Sequence, residues 1–467
     1  MHRLILIVFL ILAQGALAET CELDVSGSIH VNPLQEQDYL GWEDYFSAKE
    51  PLANVKIRLL GARKNRPFAQ WEEATTDARG KFRFKVEKAG RGCRRDYKLR
   101  VQIKYASSTL NIKKPRNRTP DWFTIFQSKS AQTNFGDRVK LNNLVIARNN
   151  KWDRGSEIAR QHGMIWITYQ KLNDYLASLS PNRSSVHFAF KEKFDLRYPH
   201  NLKVVRDTKK GKTHEVSFAN PITNTVAIVK NDRVNDLNVP ILIHEMMHIW
   251  QYERMESIHY PTTSDTHDWA LKKTRGQSGM VRYLIRHGTT HDEVTKEYVA
   301  FQEGFSWWFE ELALERIFDV RPPKVLTRGH IYRHVAKSLD ALDNHDVGWR
   351  QALTVMTLKE PLAYTYGDQD TEAVFSEFDQ KRLNARKRLC KREVDSISVA
   401  FFLNHYSNHL TALNDPEDRA KRKELGPLYK GQMTLDYFLE SVTHGDQYRR
   451  LLDPTNDEEY LQIFCDR

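Results

Sequence analysis

Two histidines four residues apart, with a glutamate directly after the first, are the residues of this sequence best suited to chemistry. They are His244, Glu245 and His248. On a helix, positions four apart share a face, so both imidazoles can bind one metal ion, and Zn²⁺ favours histidine nitrogens in a tetrahedral shell. Glu245 lies further round the helix, where it can take a proton from a water that the metal acidifies. The spacing predicts a zinc site with Glu245 as general base.

The residues around this motif indicate a helix buried inside a protein. All the remaining residues between 241 and 250 are uncharged: the aliphatic residues 241–243, Met246, Met247, Ile249 and Trp250. Pro240 suits a helix start, and the helix is predicted to run to about Arg254. The alternative is a buried helix whose two histidines only find hydrogen-bond partners.

A catalytic zinc ion normally has three protein ligands, so the motif needs one more. The best candidate is Glu303, which lies in the segment 301–308 on a helix predicted to begin with the capping box at 290–293. His248 and Glu303 are 55 residues apart, and the intervening excursion contains or adjoins rival ligands. These rivals are His259, His267, His287, His291 and Glu297.

A His-Glu-x-x-His helix followed by a helix with Glu-Gly-Phe and a small residue resembles the gluzincin metallopeptidases. The resemblance implies peptide-bond hydrolysis, with Glu303 as third zinc ligand. It also implies a tyrosine or histidine that donates to the oxyanion, for which Tyr366 is preferred. The interval before Glu303 is longer than is common in that group. The other oxyanion candidates are Tyr364, His330 and His334.

The gluzincin resemblance also implies a strand beside the zinc that binds the substrate backbone as an added strand. The segment 224–229, just before the motif, is the candidate. An ordinary core strand would have the same sequence.

Residues 19–147 have the two-residue period of β-strands. Apolar and polar residues alternate over 55–59, 82–86 and 97–105, and a turn-forming stretch at 76–80 ends in glycine. The pattern predicts an antiparallel β-sandwich. The order of these segments resembles the transthyretin-like, carboxypeptidase-regulatory-like β-sandwich family, which implies an accessory role.

From about residue 153 the period becomes helical. Apolar residues at helical spacing predict a helix over 156–179, and short alternating pieces follow at 186–190, 204–205 and 225–229. Further helical patterns fill most of 330–460. The sequence therefore predicts an α+β protein, with the sandwich followed by a mostly helical zincin-like metallopeptidase domain, 153–467, that contains a small mixed sheet.

The N-terminus and the cysteines predict the compartment. Residues 1–18 have a basic start, an apolar core and a small-residue cleavage pattern, as in a secretory signal peptide. We therefore expect a secreted protein, extracellular or periplasmic, with no integral membrane segment after cleavage. Four cysteines in an oxidising compartment predict two disulfides. The pairs Cys21–Cys93 and Cys390–Cys465 each stay within one predicted domain.

The chain is basic, with 71 Lys and Arg against 60 Asp and Glu in 467 residues. The densest basic run, 381–392, has no aromatic residues between its charges and predicts a solvated helix face, so no nucleic-acid partner is expected. The predicted function is a secreted zinc metallopeptidase acting on protein or peptide substrates. Two alternatives stay open: an inactive zincin-like scaffold, and a zinc hydrolase of other amides.

Overall fold

The structure is a computed structural model that describes about two fifths of the chain. The described residues are 20–32, 49–90, 93, 95–146, 156–180, 187–200, 203–207, 212–215, 217–220, 223–229, 237, 239–254, 305–306, 308–310, 312–313, 316–317 and 435. The chain divides into two compact units. The first comprises 1–33, 47–112 and 117–167, and the second comprises the remaining residues.

Strands make up most of the first unit. They are β1 (Thr20–Val31), β2 (Glu50–Pro51), β3 (Lys56–Ala62), β4 (Ala69–Thr75), β5 (Lys81–Ala89), β6 (Lys98–Lys104), β7 (Leu110–Lys113), β8 (Phe123–Gln127) and β9 (Arg138–Ile146). One four-stranded sheet is antiparallel, in the order β4–β3–β6–β8. In the other sheet, β1 pairs with β2, β5 and β9.

The pairing of β1 with β9 departs from the antiparallel sandwich that the sequence predicted. β1 is antiparallel to β2 and β5, but it is parallel to β9, from Asp24 opposite Arg138 to Val31 opposite Ile146. Alternating hydrophobicity determines which face of a strand is buried, but it does not determine the direction of its partner. The sequence pattern therefore could not specify this parallel pair.

The predicted alternation is confirmed in the strands themselves. Along β5 the side chains of Phe82, Phe84 and Val86 are buried while those of Lys81 and Arg83 are exposed. Burying an aliphatic or aromatic side chain stabilises a fold by about 1.5–3 kcal/mol. The buried face of β5 thus contributes to the core of this unit.

A disulfide between Cys21 and Cys93 ties the start of β1 to the residues after β5. It is the pairing expected from the sequence. The bridge closes a loop with a sequence separation of 72 residues. By the chain-entropy argument such a loop stabilises the fold by about 4 kcal/mol. Cys390 and Cys465 lie outside the described residues.

The turn between β4 and β5 is held by two side chains. Thr76 Oγ1 donates to Leu52 O at 2.6 Å, and Asp77 Oδ1 accepts from the backbone N–H groups of Arg79 and Lys81, both at 2.8 Å. These bonds, that from Lys81 foremost, lower the pKa of Asp77. The predicted turn at 76–80 is confirmed, with its last residue, Gly80, at φ +70°.

The second unit contains the chain around the histidine motif. Its strands are β10 (Phe194–His200), β11 (Lys203–Asp207), β12 (Lys212–Glu215), β13 (Phe218–Asn220) and β14 (Thr225–Val229). The helix α1 (Ser156–Ser178) confirms the predicted helix, and the boundary between the units falls within it, after Ile167. The helix α2 (Val239–Tyr252) carries the motif. The described residues between 305 and 317 are also helical.

The predicted fold class is wrong. Strands account for 44% of the described residues and helices for 26%, so a mostly helical zincin-like domain is not supported. One reason is the hairpin of β11 and β12, which pairs Lys203 with Glu215 and Val205 with Thr213. The hairpin is mostly polar and lacks the alternation of apolar and polar residues that marks a strand, so the sequence predicted only the short piece at 204–205. No helix in the described part of the chain has the length and hydropathy to cross a bilayer.

We predict that Gly80→Ala destabilises the first unit more than Gly90→Ala does. Both glycines have positive φ, +70° and +60°, so each alanine meets a conformational cost of about 1–2 kcal/mol. A Cβ at Gly80 would also lie 2.5 Å from Ile29 O, whereas one at Gly90 would meet nothing within 4 Å. Urea unfolding followed by circular dichroism should give a further loss of about 1–3 kcal/mol for Gly80→Ala. Equal losses would contradict the predicted contact.

Candidate metal centre

The helix α2 is enclosed by the second unit because its side chains are apolar around most of its circumference. Leu242, Ile243, Met246, Met247, Ile249 and Trp250 are fully buried. It packs against β13 and β14. A helix that is apolar on all sides belongs in a protein core. His244, Glu245 and His248 are therefore polar groups within a buried helix, each 8% exposed.

The two histidines direct their Nε2 atoms at each other. The distance between His244 Nε2 and His248 Nε2 is 3.2 Å, and the ring planes are 84° apart. Two nitrogens on one tetrahedral zinc ion, each at about 2.0–2.1 Å, lie about 3.3 Å apart. The same distance also suits a hydrogen bond between two neutral imidazoles. The pair thus has the separation that a shared metal ion requires.

The other ring nitrogens face polar groups of the 305–317 segment. His248 Nδ1 lies 3.3 Å from Ser306 Oγ, and His244 Nδ1 lies 3.6 Å from Glu310 Oε2. The Ser306 hydroxyl can accept from His248 Nδ1 or donate to it, whereas the ionised Glu310 carboxylate can only accept. Glu310 therefore favours the tautomer of His244 with the proton on Nδ1, which leaves the Nε2 lone pair for a metal. Ser306 Oγ also accepts a hydrogen bond from Gln251 Nε2 at 2.7 Å. The outer partners of both histidines therefore come from one segment.

Aromatic packing holds this segment against α2. The ring of Phe305 stacks on Trp250 with centroids 5.9 Å apart and planes at 6°. Phe309 packs near Phe305 and, at 6.2 Å, near Tyr175 of α1. Ser306 and Glu310 are themselves buried. The polar contacts to the histidines thus lie beneath a layer of stacked rings.

The structure brings together two of the predicted zinc ligands. His244 and His248 converge as described, and Glu245 is buried on the same helix. Glu303 and Tyr366 lie outside the described residues. So do the rival ligands and the other oxyanion candidates. Among the residues that the structure describes, no three His, Cys, Asp or Glu side chains are grouped as a metal site. The two histidines have the spacing of zinc ligands, and a zinc shell would need a third ligand from outside this pair.

The strand β14 is not the edge that the predicted substrate strand requires. It pairs with β10 in parallel, Leu196 opposite Val226, and with β13 antiparallel, Phe218 opposite Ala227. Both of its edges are therefore occupied, and no peptide can add to it as a further strand. Apolar sequence alone does not distinguish a central from an edge strand. Of the two interpretations of 224–229, the ordinary core strand is therefore the correct one.

The loop before β10 is held to the end of α2 by one arginine. Arg254 Nη2 donates to the carbonyl oxygens of His187, Phe188 and Ala189 at 3.1, 2.7 and 2.7 Å. Its Nη1 donates to Trp250 O at 3.1 Å, a carbonyl of the last helical turn. The predicted alternating strand at 186–190 is wrong for the described residues 187–190, because their carbonyl groups bind a guanidinium instead of a neighbouring strand.

Glu253 holds the next part of the same loop. Its carboxylate accepts from the backbone N–H groups of Lys191 and Glu192 at 3.0 and 3.2 Å, and it lies 3.3 Å from Arg254 Nη1. Burial raises the pKa of Glu253, and burial lowers the pKa of Arg254 to about 10. The two charges are thus buried together, and both are hydrogen-bonded to the loop.

The sequence analysis did not identify the residues that contact the motif, although the spacing of two of them, Ser306 and Glu310, could have indicated it. Ser306 and Glu310 follow Glu303 by three and seven residues, which is the spacing of one helix face. Arg254 stands where a basic residue commonly binds the last carbonyl groups of a helix. The sequence around Arg254 does not indicate that it binds residues 187–189.

Comparisons with known proteins add little to this geometry. No protein-family model matches the chain, and no curated protein matches it. Among solved structures, a 9R-lipoxygenase from Cyanothece is similar over 33% of this chain and 23% of that chain, with 12% identity and a TM-score of 0.16. The match spans about a quarter of the lipoxygenase, and a TM-score this low supports no statement about fold or chemistry.

We predict that Arg254→Lys destabilises the protein far more than Arg83→Lys does. A lysine ammonium cannot reproduce the fork that binds three carbonyl groups and Trp250 O, so buried acceptors lose their donor at a cost of about 2 kcal/mol or more. Arg83 also binds a carboxylate through two nitrogens, but its side chain is 58% exposed. Urea unfolding followed by tryptophan fluorescence should separate the two variants. Similar losses would show that the buried contacts of Arg254 contribute little.

Proposed function

We propose that this protein is a zinc-dependent hydrolase of peptide bonds, with His244 and His248 as zinc ligands and Glu245 as general base. The observation that carries the proposal is the 3.2 Å separation of the two Nε2 atoms inside a buried helix. The contact of His244 Nδ1 with the Glu310 carboxylate supports it, because a carboxylate there favours the tautomer that zinc requires. The proposal rests on these residues, since the fold class predicted from the sequence was wrong.

Glu303 is the proposed third ligand. A helix face that includes Ser306 and Glu310 also includes, by spacing, the position three residues before Ser306. Ser306 contacts the Nδ1 side of the His248 ring, so a third ligand from this segment must reach the Nε2 side, where the two histidines converge. When bound, zinc would acidify a water molecule and polarise the substrate carbonyl group.

Glu245 moves the proton in the proposed reaction. Its carboxylate takes a proton from the attacking water, whose oxygen forms a bond to the carbonyl carbon of the substrate. The carbon–nitrogen bond then breaks, and Glu245 delivers the proton to the leaving amine. Burial at 8% exposure limits bulk water around the carboxylate. Glu310 and Ser306 hold the imidazole rings, and Tyr366 is the proposed donor to the oxyanion.

The choice of peptide bonds over other amides comes from the gluzincin resemblance. The signal-like segment 1–18 supports action outside the cytoplasm. Protein or peptide substrates in that compartment are therefore the proposed targets.

We expect Glu245→Gln to abolish hydrolysis while zinc stays bound, because the amide keeps the shape of the side chain but cannot accept the proton. A loss of about 10²–10⁴-fold is typical for a general base. The assay is cleavage of an internally quenched peptide library by the secreted protein, with metal content measured on the same samples. The exposed Glu87→Gln serves as control and should cleave like the wild type.

Each other outcome of this assay excludes the proposal or part of it. Chelator-sensitive cleavage that survives Glu245→Gln would contradict the proposed base. A wild-type protein that binds zinc but cleaves no peptide or small amide would be the inactive scaffold. Hydrolysis of small amides without peptide cleavage would indicate the non-peptidase hydrolase.

We expect zinc to be lost from His244→Ala and Glu303→Ala but only weakened in Glu310→Gln. Removing a ligand opens the shell, whereas removing an outer partner lowers metal affinity by about 10–100-fold. Competition with a chromophoric chelator measures these affinities. Glu157→Gln is the matched control, because Glu157 binds Arg160 within α1. Tight zinc binding by Glu303→Ala would point to one of the rival ligands instead.

A further inference from the structure

The outward face of the sheet β4–β3–β6–β8 carries five basic residues, and aromatic rings lie beside some of them. We call it the cationic face. Along β3 and β6 the inward residues are buried and the alternate residues point outward. The basic residues of the face are Lys56, Arg58, Lys98, Arg100 and Lys104.

Arg100 is fixed on this face with part of its guanidinium group unused. Its guanidinium carbon lies 3.9 Å from the ring centre of Phe68, and its Nε donates to Gln127 Oε1 at 2.9 Å. Burial lowers the pKa of Arg100. In the part of the chain that the structure describes, its two terminal nitrogens bind no protein acceptor. They form an ordered fork of the kind that binds carboxylates through two bonds.

Arg58 is held in a similar way. It lies 4.2 Å from the ring centre of Trp122, which Lys104 Nζ also approaches at 5.4 Å. Its Nε donates to Gln102 Oε1 at 2.8 Å and its Nη1 to Gln70 Oε1 at 3.3 Å. Neutral amides thus orient the guanidinium group without neutralising it.

The positive charge of the face is not balanced by its neighbours. Lys56 lies directly opposite Lys104 in the strand register, and like charges in this position repel each other. Glu73, opposite Arg58, is the carboxylate whose charge acts on that guanidinium. Glu73 is thus the one acidic group that accompanies five basic groups along the described strands β3, β6 and β4 on this face. An anionic ligand would relieve the repulsion.

We propose that the cationic face binds extended acidic peptide segments, with carboxylates at alternate positions held by Arg58 and Arg100. Arg58 is opposite Gln102, two residues from Arg100, so the arginines are diagonal neighbours whose Cα atoms lie about 7–8 Å apart. Alternate side chains of an extended peptide lie on one side of it, about 6.5–7 Å apart. The two spacings match. This site is distinct from the histidine cluster and does not depend on it.

The aromatic residues of the face favour this ligand over a single-stranded nucleic acid. Nucleic-acid bases bind by stacking on open aromatic faces. Here the basic groups already stack on Trp122 and Phe68. The groups left for a ligand are N–H donors, and their partners are carboxylates.

The test is the anisotropy of a fluorescein-labelled peptide of alternating glutamate and serine, titrated with the full-length protein at low salt. We expect Arg58→Gln with Arg100→Gln to weaken binding by about tenfold or more. Arg58→Lys with Arg100→Lys should weaken it several-fold, because lysine keeps the charge but lacks the fork. Circular dichroism confirms that each variant is folded.

The matched control is Arg83→Gln with Lys85→Gln, which removes the same charge from β5, in the other sheet. Both of these residues already pair with carboxylates, Asp24 and Glu22. We expect binding within about twofold of the wild type. Equal weakening in the control, full binding by the double lysine variant, or tighter binding of an oligothymidine with the same charge would each overturn the proposal.

Discussion

The second unit depends on a rule about burial: a polar group removed from water must find a polar partner. The helix α2 is apolar enough to be enclosed, yet it takes two imidazoles and a carboxylate inside with it. The 305–317 segment supplies polar neighbours for the two imidazoles. Ser306 and Glu310 lie opposite the Nδ1 atoms of His248 and His244. Residues far away in sequence are therefore needed before this helix can be buried at all.

The same rule applies at the end of the helix, where carbonyl groups have no partner within the helix. Arg254 binds one of them, at Trp250, through Nη1 and binds the loop before β10 through Nη2. Glu253 binds the N–H groups that follow in this loop. The helix is thus held on its side by stacked rings and at its end by a buried ion pair. A helix fixed in this way keeps the two Nε2 atoms at a constant separation, as a metal site requires.

Features that depend on neighbouring residues were predictable from the sequence. The periods of α1 and β5, the turn ending at Gly80 and the burial of α2 follow from the order of residue types within one or two turns of chain. The spacing of His244 and His248 has the same local character, since four residues make about one helical turn.

Features that depend on distant partners were not predictable in this way. The segment at 187–190 has the alternation of a strand, but Arg254 occupies its carbonyl groups from 65 to 67 positions away. β14 has the composition of an edge or a central strand, and only its two neighbours decide which it is. The β11–β12 hairpin carries no apolar pattern. Each of these outcomes is determined by a backbone hydrogen bond whose partner the local sequence does not specify.

The arginines show how one side chain serves opposite purposes according to its partners. Arg254 is buried, and its donors are spent on carbonyl groups and on Glu253, so it contributes rigidity and has little left for a ligand. Arg58 and Arg100 are oriented by ring faces and neutral amides, which leave charge and N–H groups directed outward. Stacking and amide bonds restrict a guanidinium group without neutralising it, and this lowers the entropy that a ligand must remove on binding. The net charge of the chain is +11. It can attract an anionic ligand to one place only where basic side chains are oriented by groups other than carboxylates.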